Sequence, residues 1–335
     1  MGEKLFTSEA SRLHDTSAMP EVPERIERIE AIESLLSARD WCGYERAGCA
    51  PASDVTLALV HDERYIDAVA RACEAGAALD PETPTVPGSI EAARHSAAGA
   101  VAVVDALAGG NGLAASLHRP PGHHAGVASA SGFCLFNNVA IAAEHARSAH
   151  GLERILVVDW DVHHGNGTEA IFRDDPGILF VSIHQSPLWP GSGALADQGS
   201  GEGEGYTLNL PVPPGSGNGL YKALVAHVVE PAARAFEPEL ILVSAGYDAH
   251  LADPLAQCTV DEEGFAAMAR QVGSLGRDLG APVGLVLEGG YDVDALAASV
   301  AATLTALRED PEGPPPGREA VAAVADAVLA RPAFA

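Results

Sequence analysis

Between Arg154 and Thr168 the chain reads RILVVDWDVHHGNGT, an uninterrupted apolar run that ends in acids and histidines. Ile155, Leu156, Val157 and Val158 show no polar alternation, which is the pattern of a short strand covered on both faces within a mostly parallel sheet. Side chains alternate along a strand, so Asp159, Asp161 and His163 fall on one face, and Trp160, Val162 and His164 on the other. Carboxylates and imidazole spaced by two at the end of a buried strand can converge on one ion. Open α/β sheets hold their ligands at that end. Taken singly, Asp159 or Asp161 reads as a loop cap and either histidine as a satisfied core residue. Four ionisable residues within six positions are a different matter. They are costly to bury unless they pair or bind a metal, so the stretch reads as a functional site.

The rest of the composition sets bounds. A chain of 335 residues with 47% hydrophobic and 20% charged residues is long enough for one large α/β domain with a full core, and the reading is a single domain over 1–335. No apolar run reaches the roughly 18 residues of a membrane span. The N-terminal stretch MGEKLFTSEASRLHD has no signal-peptide core, so the expectation is a soluble cytoplasmic protein. The five cysteines, at 42, 49, 73, 134 and 258, are odd in number and form no C-x-x-C, which points to reduced thiols. A net charge of −26 repels phosphate backbones and favours cationic substrates, so direct nucleic-acid binding is not expected.

Along the chain, apolar runs alternate with helical periodicity. Strands are expected at 5–7, 113–117, 155–158, 178–183, 206–210, 240–245 and 283–287. Helices are expected at 24–37, 53–75, 89–108, in the Ala-rich segment ending near His150, at 168–173, at 219–236 interrupted by Pro231, at 261–279, and twice more near the C-terminus. The Gly- and Pro-rich segment 187–205 reads as a long surface loop, a length that is usually functional inside a domain. Four strand exits carry unusual residues: His123 and His124, then Asp159 to His164, then Asp248, then Tyr291. In a parallel sheet these exits share one edge, so residues far apart in sequence converge there.

Those exits also carry a resemblance over nearly the whole chain. RPPGHHA at 119–125, GFCLFNN at 132–138, DWDVHHGNGT at 159–168, SAGYDAHLADPL at 244–255 and LEGGY at 287–291 resemble the zinc-dependent histone deacetylase family. The wording is nearest to the class II branch and to the bacterial histone deacetylase-like and acetylpolyamine amidohydrolases. The resemblance implies the arginase/deacetylase α/β fold, a central mostly parallel sheet with helices on both faces. It implies one catalytic zinc held by Asp161, His163 and Asp248, three protein ligands that leave a coordination position open. It further implies tandem catalytic histidines, His123 backed by Asp159 and His124 by Asn166, with Tyr291 as the transition-state tyrosine. A carboxylate behind His123 favours its charged form, while a neutral amide leaves His124 free to act as a base.

The resemblance also places Phe133, Trp189, Gly132 and Gly289 along an acyl-lysine channel, and implies potassium sites involving Asp159, Asp161, His163, Ser182 and Ile183 and, separately, Phe172. The activity implied is hydrolysis of the acyl amide of an acylated lysine or a related acylated amine. Two positions depart from the pattern. Met19 stands where class II relatives often carry histidine at the channel mouth, and the rim acid is either Asp80 or Glu82, with Glu82 favoured by its distance from Pro87. At Leu255 the polyamine-preferring relative of class IIb carries glutamate, so apolar Leu255 points to acyl-lysine over acetylpolyamine. An arginase-type ureohydrolase is the rival enzyme reading, but the acid after Asp248-Ala249-His250 is Asp253, one residue late for D-A-H-x-D. A non-catalytic acyl-lysine binder is the other rival, and it would be expected to lack Tyr291 or a ligand. Homo-oligomerisation is left open.

Overall fold

The apolar runs become strands of one sheet. In this computed structural model, which describes residues 2–314 and 316–334, the strands in chain order are β1 (Lys4–Phe6), β2 (Glu45–Ala47), β3 (Leu113–Ser116), β4 (Ile155–Asp159), β5 (Ile178–Gln185), β6 (Thr207–Val212), β7 (Leu240–Ala245) and β8 (Val283–Leu287). Their spatial order is β2-β1-β3-β8-β7-β4-β5-β6, and every pairing is parallel. The chain therefore builds outward from β4 to β6 and then returns to the centre with β7 and β8. This reversal leaves the carboxyl ends of β3, β8, β7 and β4 side by side around a topological switch point, where open α/β sheets form their ligand crevice.

Both faces of β4 are covered, which explains its unbroken apolar run. Ile155 and Val157 pack with Val139, Ala143, Phe180 and Leu242 beneath the helices Ser89–Ala108 and Asn138–His150. Leu156 and Val158 pack on the opposite face with Val181, Val243, Phe265 and Val300, against the helices Glu262–Leu279 and Val293–Ala306. All four side chains are fully buried, each burial stabilising by about 1.5–3 kcal/mol. The strand stops at Asp159, but the alternation carries on past it: Trp160 and Val162 still enter the Leu156 core.

The structure corrects several expected elements. The segment expected as one helix over 53–75 is two, Asp54–Leu57 and Glu63–Ala75, because Asp62 adopts a capping conformation and accepts from the Arg64 amide. The helix expected to break at Pro231 runs on from Asn218 to Phe236 through a π-helical turn at Val225–Val229. That turn comes just before the proline, in the stretch where an α-helical ladder would lose a donor. β2 was not expected at all. Its three residues, Glu-Arg-Ala, are largely exposed at the sheet edge and show no apolar pattern.

Candidate active site

Loops from the carboxyl edge enclose a cavity of about 440 Å³. Its wall includes His124, Gly132 and Phe133 after β3, His163 after β4, Leu188 and Trp189 after β5, Leu255 after β7 and Tyr291 after β8, with Met19 and Glu82 at the rim. Asp80 does not line the cavity and accepts from the Glu82 amide at 2.9 Å, whereas Glu82 does line it.

At the cavity floor, Asp161, His163 and Asp248 each present a ligand atom within 4.8 Å of the others. His163 Nδ1 lies 2.9 Å from Asp248 Oδ2 and 3.3 Å from Asp161 Oδ1. Both carboxylates are buried, and neither pairs with a lysine or arginine among the described residues. Two buried carboxylates converging with one imidazole make a His-Asp-Asp donor set that suits a zinc-type ion with an open position. The packing leaves no slack: a Cβ on Gly289 would fall 2.5 Å from both Asp161 Oδ2 and Asp248 Oδ2, so only glycine fits there. Gly289 does not line the cavity itself. It supports the floor, donating from its amide to Asp161 Oδ2 at 2.9 Å.

Two histidines stack above the floor with ring centroids 3.9 Å apart. His123 Nδ1 lies 2.9 Å from Asp159 Oδ2, and His124 Nδ1 lies 2.7 Å from Asn166 Oδ1. Burial opposes charge on His123, but Asp159, Asp161 and Glu288 outweigh it and hold its pKa well above the ordinary histidine value. For His124, burial and then the neighbouring His123 and His163 lower the pKa well below it. Adjacent rings are thereby pushed apart, one charged and one neutral. Burial also lifts the Tyr291 phenol well above its usual range, although Arg28 opposes the shift, so the hydroxyl stays protonated as a donor.

The walls are aromatic. Trp189 meets His124 edge to face at 4.7 Å, and Phe133 meets Tyr291 at 5.8 Å. Phe133 sits at φ +67, a left-handed conformation that costs a bulky residue on the order of 1–3 kcal/mol. Its amide is held by Thr83 Oγ1. Of the remaining candidates, Ser182 and Ile183 are buried in β5, with Ser182 in register with Asp159. Phe172 ends the helix Asn166–Phe172 and packs with Val139 and Phe180, so it does not line the cavity.

Sequence reasoning missed the supports of this site. Glu24 is fully buried between Arg28 and Arg119, and Arg28 also donates to the carbonyls of Glu288 and Gly290, with its guanidinium 5.0 Å over the Tyr291 ring. Glu288 accepts from the amides of Gly122 at 2.6 Å and His123 at 3.1 Å, and from Ser244 Oγ at 3.0 Å. Asp253 Oδ2 accepts from the Tyr291 amide at 2.7 Å. A signal for Glu288 was available, as an acid ending an apolar strand. Apart from its pair with Glu24, the bonds of Arg28 span more than 250 residues and leave no local trace.

Comparison with known proteins gives the family and the fold. The histone deacetylase domain signature matches residues 19–307, and the chain belongs to the histone deacetylase family. It is 45% identical over 277 residues to a probable deacetylase of Methanothermobacter thermautotrophicus, covering 81% of each chain. It is 42% identical over 285 residues to the polyamine deacetylase HDAC10 of Homo sapiens, covering 80% of this chain and 42% of that one. The crystal structure of the HDA15 HD domain superposes with a TM-score of 0.90 at 34% identity, over 98% of this chain and 93% of that one. The parallel sheet with helices on both faces is thus the arginase/deacetylase fold.

Proposed function

We propose that the protein is a zinc-dependent deacylase that hydrolyses the acyl amide of acylated lysine, in a peptide or protein, to free amine and carboxylate. The observation that carries the reading is the convergence of the Asp161, His163 and Asp248 donor set with His124 backed by Asn166, His123 backed by Asp159, and Tyr291 in the cavity wall. Zinc, when bound by those three residues, supplies Lewis acidity toward the acyl carbonyl and the attacking water. His124 has its Nδ1 proton directed at Asn166, which leaves Nε2 to take a proton from the water as it adds to the acyl carbon. Tyr291 donates its hydroxyl to the oxygen on which negative charge develops. A protonated histidine of the pair then returns a proton to nitrogen as the carbon–nitrogen bond breaks, so the products are amine and carboxylate. Phe133 and Trp189 hold the uncharged lysine stem between aromatic faces and keep water from the reacting carbon.

An acetylpolyamine is the second substrate class, favoured by Glu21 and Glu82 at the mouth, whereas Leu255 within the cavity offers a cation no partner. A structural potassium ion beside Asp159, Ser182 and Ile183 is part of the same reading, as is a cytoplasmic location; no helix among the described residues is long and apolar enough to cross a membrane. The test is turnover of an acetyl-lysine peptide, acetylspermidine and longer acyl-lysine peptides by the purified, zinc-loaded protein. The reading expects acyl-lysine to give the highest kcat/KM, and absence of turnover on every acyl amide would refute it.

A further inference from the structure

Two histidines and an aspartate meet on the outer surface, on residues distinct from the cavity. Asp105 lies in the last turn of the helix Ser89–Ala108, and His145 and His150 lie on Asn138–His150, which packs beside it. Both imidazoles aim Nε2 at the same atom: Asp105 Oδ1 is 2.7 Å from His145 and 2.8 Å from His150. Their rings stand edge to face with centroids 5.4 Å apart, and the three ligand atoms lie within 4.8 Å of one another.

Helical stacking does not produce this arrangement. Residues five apart on an α-helix point about 140° from each other, so His145 and His150 do not share a helix face, yet both turn to one carboxylate on another helix. His150 is the last residue before the Gly151 cap at φ +69, where the helix ends. Asp105 pairs with no lysine or arginine among the described residues; the side chains that meet its carboxylate are the two imidazoles. Two imidazole nitrogens and one carboxylate oxygen make a donor set suited to zinc, nickel, cobalt or copper(II), and unsuited to the harder magnesium and calcium. Asp105 is exposed and both histidines are partly so, which leaves room for water to complete the coordination shell. A net charge of −26 raises the local concentration of any cation.

We propose that Asp105, His145 and His150 bind a divalent transition-metal ion that joins the C-terminal ends of the two helices. Those ends lead into β3 and β4, the strands whose exits deliver His123, His124, Asp161 and His163. The ion is a clip on the scaffold and takes no part in acyl hydrolysis. It anchors the two helices from outside while the Ala- and Val-rich seam between them packs from inside.

The experiment is calorimetric titration of the full chain with zinc, and separately with nickel, alongside elemental analysis and thermal unfolding. It compares wild type with His145→Ala/His150→Ala and with Asp105→Asn. The wild type is expected to bind one equivalent more than the double variant, with a dissociation constant on the order of micromolar or tighter, and to gain a few degrees in Tm on saturation. Both variants should keep wild-type deacylase turnover, which verifies their fold. Equal stoichiometry in wild type and double variant overturns the proposal, whether the shared number is zero, one or two. The comparison is a difference, so it stands independently of whether zinc fills the buried site.

Discussion

Replacing Leu255 with glutamate would place a carboxylate in the cavity wall close to Tyr291. The coupling is short: the Leu255 amide donates to Asp253 Oδ1 at 2.9 Å, and Asp253 Oδ2 accepts from the Tyr291 amide at 2.7 Å. The backbones of residues 255 and 291 are therefore tied together through the Asp253 carboxylate. A glutamate there can meet the second ammonium of an acetylpolyamine in a charge-assisted hydrogen bond worth about 1.5–3 kcal/mol. At about 1.4 kcal/mol per factor of ten, this corresponds to roughly ten- to hundredfold in relative kcat/KM. The net charge of −26 already draws polyamines toward the molecule, but that field is screened beyond about 10 Å and acts equally on both proteins. The assay is kcat/KM for acetylspermidine and for an acetyl-lysine peptide, in wild type and in Leu255→Glu. Wild type should favour the peptide, and the variant should shift the ratio toward the polyamine by about tenfold or more. A wild type that prefers acetylspermidine, or a ratio unmoved in a folded variant, would show that residue 255 is not the selector.

Tyr291→Phe is expected to keep the fold and to lower kcat by about 10² or more with little change in KM, because the oxyanion loses one donor; steady-state kinetics on the zinc-loaded variant checks this. Dialysis against a chelator should abolish hydrolysis and lower Tm, since Asp161 and Asp248 lose their counter-charge, and added zinc should restore both. Acid should destabilise the protein through its buried neutral histidines. Burial lowers His61 to about 4, and its Nε2 accepts from the Asn137 amide at 2.9 Å, a bond that protonation would break. The folded pKa lies below the unfolded value near 6.5, so this contribution is intact above pH 6.5 and is lost as pH falls toward 4, to the extent of roughly 3 kcal/mol. His61→Gln should therefore flatten the Tm-against-pH curve between pH 4 and 6.5, and an unchanged slope would remove His61 from the acid response.

The central strands were legible because a strand buried on both faces must be apolar, as Ile155 to Val158, Ile178 to Ile183, Leu240 to Ala245 and Val283 to Leu287 largely are. The convergence of His124, Asp161, Asp248 and Tyr291 followed from one physical rule, that parallel strands share a carboxyl edge. Edge strand β2 was illegible for the opposite reason: its Glu-Arg-Ala residues are largely exposed and carry no burial pattern. Glu24 and Arg28 fall in the segment expected as a helix over 24–37, four residues apart with opposite charge, a spacing that by itself signals no more than a surface pair. They are in fact fully buried, because Arg119, 95 residues away, completes the pairing. Long-range ion pairs of this kind satisfy buried charge without leaving any periodicity to read.

The acids of the site have a second task, which governs how substitutions there must be interpreted. Asp248 Oδ1 accepts from the Val162 amide at 2.8 Å, Asp161 Oδ1 from the His163 amide at 2.9 Å, and Asp159 Oδ1 from the Asp161 amide at 3.1 Å. Each carboxylate offers an oxygen to an amide of the loop after β4, Asp161 also accepting through Oδ2 from Gly289, and the lone pairs that remain face an ion or an imidazole. The loop after β4 is thus shaped by the groups it helps to gather, and the geometry is preorganised before substrate arrives. An alanine at 248 removes a ligand atom and also frees the Val162 amide, so a loss of activity there cannot separate metal binding from loop collapse. Asparagine at 248 keeps an oxygen for that amide but removes the charge and puts an NH2 where Oδ2 faces His163. If Asp248→Asn retains the thermal stability of the metal-free wild type yet fails to take up zinc, the residue acts as a ligand; if it unfolds while metal-free wild type does not, its charge serves the loop first.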